Sequence, residues 1–121
     1  RKIAPHFREM TPHGVENYCC GGGSGFAIMS GYNFSEWRNL VSSRKKFLQI
    51  LQAFENESQE TPKYVCAPCS NCKGAIRDII GYYHAEERSH LYYGGLVELI
   101  VNALEGMKKP IINFGDQPSW E

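Results

Sequence analysis

No stretch of this chain is long and apolar enough to enter a bilayer. Its unbroken apolar runs last only a few residues, against the roughly 20 needed to span one. Net charge is missing too: 13 Lys and Arg offset 13 Asp and Glu. Nucleic-acid binding and electrostatic attachment to anionic lipid therefore find no support in composition. The glycine run from Gly21 to Gly25 lacks what a phosphate loop needs. No Lys followed by Ser or Thr closes it, and neither G-x-G register meets a third glycine, because Phe26 and Ile28 stand there. The chain opens on Arg1 with neither an initiator Met nor a signal-peptide pattern, from which an excised piece of a longer protein is expected. What is present is ordinary for a globular protein. The 121 residues, 42% hydrophobic and 21% charged, suffice for one domain with a modest core.

The five cysteines are less ordinary. Cys19 and Cys20 are adjacent, and Cys66, Cys69 and Cys72 form a C-x-x-C-x-x-C run with Pro68 and Asn71 inside it. An odd count does not suit a secreted disulfide framework. Neighbouring Cα atoms lie about 3.8 Å apart, whereas a disulfide prefers roughly 4.4 to 6.8 Å, so a Cys19–Cys20 bond would be strained. Two tight clusters of sulfur instead fit loops that turn several thiolates toward one point, a ligand set that selects zinc or iron–sulfur clusters over hard cations. Reduced cysteines without a ligand, and a thioredoxin-type dithiol using Cys66 and Cys69, are the competing readings.

Periodicity sets out the elements. Residues 1–18 are expected to hold a short strand and a turn leading into the first cysteine loop. Asn33 with Glu36 reads as a capping box, and Trp37, Leu40, Val41, Phe47, Leu48, Leu51 and Phe54 follow helical spacing, which predicts a helix over about 35–55. The polar "ENESQETPK" is a loop, and "YVCA" a short buried strand that empties into the second cysteine loop. From the Cys72 region a helix runs to about Tyr83, with Ile76, Ile79, Ile80 and Tyr83 on one face. "HAEERSH" reads as a solvated turn, its His84 and His90 poor candidates for ligands. "HLYYG" is a further strand, followed by a helix with Leu96, Leu99, Ile100, Ala103 and Leu104 as its stripe and Gly106 as its stop. Residues 107–121 form a C-terminal extension. This order predicts an α/β fold in which a small parallel sheet is flanked by helices and the cysteine loops lie at strand ends, where such folds collect ligands.

Glycines beside thiolates have a use of their own. Without Cβ atoms, Gly21, Gly22 and Gly23 let the backbone approach a bulky anion, take positive φ and aim N–H groups inward. A thiolate-rich cluster is such an anion, and hydrogen bonds to its sulfurs help set its potential. His6 and His13 stand near the first cluster in sequence, where either donates a hydrogen bond to it or is exposed. Tyr18, Phe26 and Tyr64 screen the cysteines from water or simply pack.

"NYCCGGGSG", followed by a long helix, a strand and a C-x-x-C that opens a helix, resembles the cysteine-rich CCG domain. That domain occurs in heterodisulfide reductase catalytic subunits, in iron–sulfur subunits of glycolate and glycerol-3-phosphate oxidases, and in succinate:quinone reductase relatives. The longer context, "HFREMTPHGVENYCCGGG" with "CAPCSNCKGAI" and "GGLVELIVNAL", looks closest to heterodisulfide-reductase-like subunits of membrane redox complexes in sulfate reducers and sulfur oxidisers. The likeness covers roughly residues 5–105 and implies a single CCG-type domain over 1–121. Carried over residue by residue, it makes Cys19, Cys20, Cys69 and Cys72 the cluster ligands, with Cys66 as second choice and Gly21, Gly22 and Gly23 cradling the cofactor. Two positions depart from the family pattern: no cysteine precedes Cys19, and Ser70 follows Cys69 where the family has Pro, while Pro68 lies before it.

The resemblance implies a 4Fe–4S cluster, of the non-cubane type in these relatives, with zinc as the substitute metal when cluster assembly fails. It implies an oxidoreductase fragment, inactive in isolation, that passes electrons to a disulfide or trisulfide on a small protein. Its electrons would come from cubane-cluster domains of the parent and from membrane electron-transfer subunits, at the cytoplasmic side of a membrane complex, without insertion and without nucleic acid. An exposed apolar face is expected where an upstream half would pack.

Overall fold

A computed structural model describes residue 4 and residues 6–23 and 34–104. Asn33 of the expected capping box, Phe26, Gly106 and the 107–121 extension lie outside the described residues. The chain folds as an α/β unit. A 3-10 turn (Gly14–Glu16) leads to the first cysteine loop, and a helical run follows as α1 (Phe34–Trp37), a π-helical segment (Arg38–Ser42) and α2 (Arg44–Ala53). Next come β1 (Lys63–Cys66), α3 (Ser70–Tyr82), α4 (Ala85–Ser89), β2 (Leu91–Gly94) and α5 (Leu96–Asn102). The strand expected in residues 1–18 does not form among the described residues. Those residues are mostly exposed, with Met10 alone packing on the core, so too little apolar surface is buried there to hold an added strand. The expected turn at "HAEERSH" is instead the short helix α4. His84 and His90 bracket it in left-handed conformation (φ 52° and 49°), a region that histidine enters more readily than most residues, and Ala85 is buried beneath it.

β1 and β2 pair in parallel, Lys63 opposite Leu91 and Cys66 opposite Gly94, with α3 and α4 making the crossover that parallel strands require. The ladder is extended at both ends, where the Lys63 amide donates to His90 O at 2.8 Å and the Ala67 amide to Gly94 O at 2.8 Å. At the entry to β1 the buried Lys63 ammonium donates to the carbonyls of Ser58, Thr61 and Ser89 at 2.7, 2.8 and 2.8 Å, which ties the preceding loop to the end of α4. β2 is buried along its whole length, whereas β1 points Val65 inward and leaves Cys66 exposed. Between sheet and helices lies the core of Phe47, Ile50, Val65, Ala67, Ile76, Ile79, Ile80, Ala85, Leu91 and Tyr93. Phe47 stacks on Tyr83 with ring centroids 4.7 Å apart. The α3 stripe thus packs as its spacing predicts.

The helical run around α2 does not. Of the seven apolar positions in the expected stripe only Phe47 is buried, with Phe54 half-buried, while Trp37, Leu40, Val41, Leu48 and Leu51 are 38–55% exposed. Buried in their place are Arg38, Asn39, Ser43, Lys46, Gln49 and Ile50. Part of the reason is the π-helical segment, closed by the Ser43 amide on Arg38 O at 2.8 Å: the extra residue in its turn rotates everything downstream relative to an unbroken 3.6-residue period. The rest lies in what the buried polar groups hold, described below. Arg38 pairs with Asp78 of α3 at 2.5 Å, so a neighbouring helix rather than water satisfies the first of them. Exposed apolar side chains thus line this run, and Leu96, Val97 and Ile100 of α5 and Leu104 just beyond it are exposed as well. Among the described residues no helix is long and apolar enough to cross a membrane.

The inverted helix makes a prediction that contradicts its own hydrophobic pattern. In urea denaturation, Leu48→Ala changes stability by no more than about 0.5 kcal/mol, Gln49→Ala costs about 1–3 kcal/mol because it strands buried polar partners, and Ile50→Ala costs about 2–5 kcal/mol. A larger loss at Leu48 than at Gln49 would show that the helix is turned the other way.

Candidate thiolate site

The first cysteine loop has no regular structure, so its backbone groups need partners from elsewhere. The buried face of α2 supplies them. Ser43 Oγ donates to Cys20 O at 2.7 Å, and Lys46 Nζ donates to Asn17 Oδ1 at 2.7 Å and to Gln49 Oε1 at 2.6 Å. Gln49 Nε2 in turn donates to Pro12 O at 2.5 Å. Lys45, one position along, lies 4.0 Å from the centre of the Tyr18 ring, a cation–π contact at the rim of the same loop. None of Ser43, Lys46, Gln49 or Asn17 stands out as functional in the sequence. The signal that could have found them is the recurrence of polar side chains at 39, 43, 46 and 49, a second helical stripe beside the apolar one.

Two of the three glycines are required by space. Gly21 has φ +77°, and a Cβ there would lie 2.7 Å from the Ser42 backbone and from Ser43 Oγ. A Cβ on Gly22 would lie 2.7 Å from Asn71 O and 3.0 Å from the Ala75 Cβ, so the loop is wedged between the start of α2 and the first turn of α3. Gly23 has nothing within 4 Å of such a Cβ, and space does not demand a glycine there. The amides of Gly21 and Gly22 donate to the sulfurs of Cys19 and Cys20 at 3.3 and 3.4 Å, the inward-aimed N–H groups that the glycine run implies.

The second loop meets the first through α3. Cys69 is the residue before its first turn, extended at φ −88° and ψ 131°. The amides of Cys72 and Asn71 face its sulfur and, with the Cys72 thiol, hold the Cys69 thiol below its ordinary value. Cys72, one turn into the helix and half-buried, is pushed up to about 12, first by burial and then by the sulfurs of Cys20 and Cys69 within hydrogen-bonding reach. Cys72 is thus the hub that joins Cys20, buried, to Cys69, exposed. Cys19 is exposed beside them. Cys66 keeps different company: its thiol is pushed up by burial and by the Glu98 carboxylate. That carboxylate is itself held below its usual range, chiefly by the Lys73 ammonium, its ion-pair partner. With Phe7, Met10, Phe54, Tyr64 and Leu99, Cys66 lines a groove of about 610 Å³.

His6 lines this groove rather than the cysteine hub, and His13 is exposed. His84 and His90 make only loose contacts with Glu87 and Glu60, at 3.7 and 3.8 Å. Tyr64 donates to Gly95 O at 3.3 Å and lines the groove with Cys66.

No family model, curated protein or solved structure matches the chain. The site stands on its own chemistry.

Among the described residues no group of three or more His, Cys, Asp or Glu side chains is arranged as a metal would hold them. The free thiols of Cys19, Cys20, Cys69 and Cys72 are of the type that thiophilic metals prefer, and backbone amides donate to the first two.

The unequal thiols are directly testable. At pH 8 Cys69 holds a larger thiolate fraction than an ordinary cysteine and Cys72 almost none, so peptide mapping after brief iodoacetamide treatment should show Cys69 alkylated at least about a hundredfold faster. Equal rates would refute the arrangement. Gly22→Ala, which drives a Cβ into Asn71 O, is expected to cost about 1–3 kcal/mol in denaturation and to raise Cys20 reactivity as the loop parts from α3.

Proposed function

We propose that this chain is an iron–sulfur cluster-binding domain of a heterodisulfide-reductase-like oxidoreductase, with Cys19, Cys20, Cys69 and Cys72 as ligands. The observation that supports this reading is the seating of Gly22 against Asn71 and Ala75 of α3, which brings the loop of Cys19 and Cys20 to the start of the helix that Cys69 and Cys72 open. Such a cluster, when bound, supplies single electrons to a disulfide sulfur. The protein's own contribution is to hold the ligands. Gly21 and Gly22 place amides on two sulfurs, the start of α3 places two more facing Cys69, and burial of Cys20 keeps water from one side. Cys69, exposed like Cys19 but set among the amides at the start of α3, is where a disulfide or trisulfide on a small protein would approach. Cubane-cluster domains of a parent chain and membrane electron-transfer subunits would deliver the electrons, on the cytoplasmic side of a membrane complex. Zinc is the alternative occupant of the same sulfurs, since thiolate sites accept it readily.

One observation favours a second reading, a metal-free dithiol. An exposed cysteine with a lowered pKa at a helix N-terminus, three residues before a half-buried one with a raised pKa, is the arrangement of an attacking and a resolving thiol. The pair concerned is Cys69 with Cys72. Cys66, which the sequence reading pairs with Cys69, lies in the groove beside Glu98. Here the Cys69 thiolate would attack a substrate disulfide and release one thiolate. Cys72 would then displace the second, leaving a Cys69–Cys72 disulfide and a reduced substrate.

Anaerobic purification with joint assay of iron and acid-labile sulfide separates the readings. About four of each per chain, lost in Cys20→Ser and kept in Cys66→Ser, is the expected result. Zinc without sulfide would replace the cluster by a structural metal. An absence of both, with a Cys69–Cys72 disulfide forming on mild oxidation, would favour the dithiol.

A further inference from the structure

On the outer face of α2, Leu48 and Leu51 are 54% and 38% exposed, and Arg44 and Glu55 are exposed on either side of them. Glu55 lies just past the helix end, where its amide still donates to Gln52 O at 3.2 Å. The four residues therefore fall at spacings of four, three and four, a single stripe along the helix. Neither charge of the stripe has an ion-pair partner among the described residues. Eleven positions separate the two, a rise of about 16 Å, which is too far for them to pair within one chain. Lys45, the neighbouring cation, is engaged with the Tyr18 ring instead.

The stripe runs cation, Leu, Leu, anion, and from its other end it runs the same way with the signs exchanged. Such an order suits a two-fold axis across the helix. An antiparallel copy of α2, laid with its Leu51 against Leu48, brings its Glu55 to Arg44 and its Arg44 to Glu55. We propose that this stripe is a self-association surface, on which two copies of the chain pair helix to helix with the leucines at the centre and an Arg44–Glu55 ion pair at either end. An anionic lipid surface would gain from Arg44 and be repelled by Glu55, and an unrelated partner needs no such inverted order. The leucines supply the affinity, because exposed ion pairs contribute little. The charges set direction, because a parallel pairing would oppose Arg44 to Arg44. One helix face is a small interface, so association is weak, with a Kd on the order of 0.1 mM. Ser43, Lys46 and Gln49 hold the cysteine loop from the buried side of the same helix, so pairing does not depend on what the sulfurs bind.

The test is sedimentation equilibrium of the full chain under reductant, from about 10 µM to 1 mM, with circular dichroism as a check on folding. The natural chain is expected to pass from monomer toward dimer over that range. R44E and E55R are each expected to weaken pairing at least about fivefold, since each sets like charges opposite one another twice, and the double variant R44E/E55R to return within about twofold of the natural chain. L48A/L51A is expected to keep its fold and remain monomeric throughout. A natural chain that stays monomeric at every concentration would overturn two-fold pairing, as would a double charge exchange that pairs no better than the single ones or a dimer indifferent to L48A/L51A. Binding of a monomeric natural chain to vesicles of phosphatidylglycerol and phosphatidylcholine would overturn it in favour of a lipid surface.

Discussion

Everything around the cysteines depends on hydrogen bonds from one helix face to a loop that has no ladder of its own. Ser43, just before α2, and Lys46 and Gln49 within it reach, in order, Cys20, Asn17 and Pro12. A loop without a ladder has as many backbone groups to satisfy as a strand does, and here a set of side chains answers for several of them. Arg38 makes the same kind of connection on the other side, to Asp78 of α3. Two helices and the loop between them are thus joined by polar contacts, while the apolar core lies deeper, between α3, the sheet and the inner edge of α2.

Close approach is the second constraint, and it follows from the first. A loop held this near to α2 leaves no room for side chains at Gly21, and the same loop pressed on the first turn of α3 leaves none at Gly22. The backbone that results presents its amides to its own sulfurs. Gly22 lies against Asn71 and Ala75, so the approach of the first cysteine loop to the start of α3 is a packing result before it is a chemical one. The same geometry grades the thiols. Cys69 sits at a helix start among amides, Cys72 is half-buried among sulfurs, and Cys66 stands beside a carboxylate.

Much of this was legible in the sequence, and the exceptions have physical causes. Both strands, the crossover between them and the α3 stripe of Ile76, Ile79 and Ile80 follow from local pattern, because a core built on those positions obeys the usual periods. Membership of the cysteine hub could be read in part. The adjacent pair and the glycines point to one loop, and C-x-x-C to the start of a helix, but spacing alone could not separate Cys66 from Cys69 and Cys72. That division depends on Cys66 ending a strand while the other two belong to a helix start. The helix of residues 34–53 misled for a definite reason: hydrophobic period identifies the face that leaves water only when the inner surface is apolar. Here the inner surface includes a loop's polar backbone, so Lys46 and Gln49 belong inside. The α4 helix was missed because it has too few residues to show a period, whereas the turn expected before the first cysteine loop is the 3-10 turn at Gly14–Glu16.

The outward row of Trp37, Leu40, Val41, Leu48 and Leu51 bears on how the chain reaches this arrangement. During collapse, before the loop has a fixed shape, the most favourable early contacts of this helix are those of its apolar side, which would roll it into the core the wrong way round. Native packing needs the opposite roll, which the loop rewards together with the Arg38–Asp78 pair and the burial of Phe47 and Ile50. The landscape is therefore locally frustrated at one element, with two helix orientations competing and the cysteine loop as arbiter. A chain whose loop cannot close on Ser43, Lys46 and Gln49 would lose more than its ligands: it would lose the information about which way its longest helical run should face.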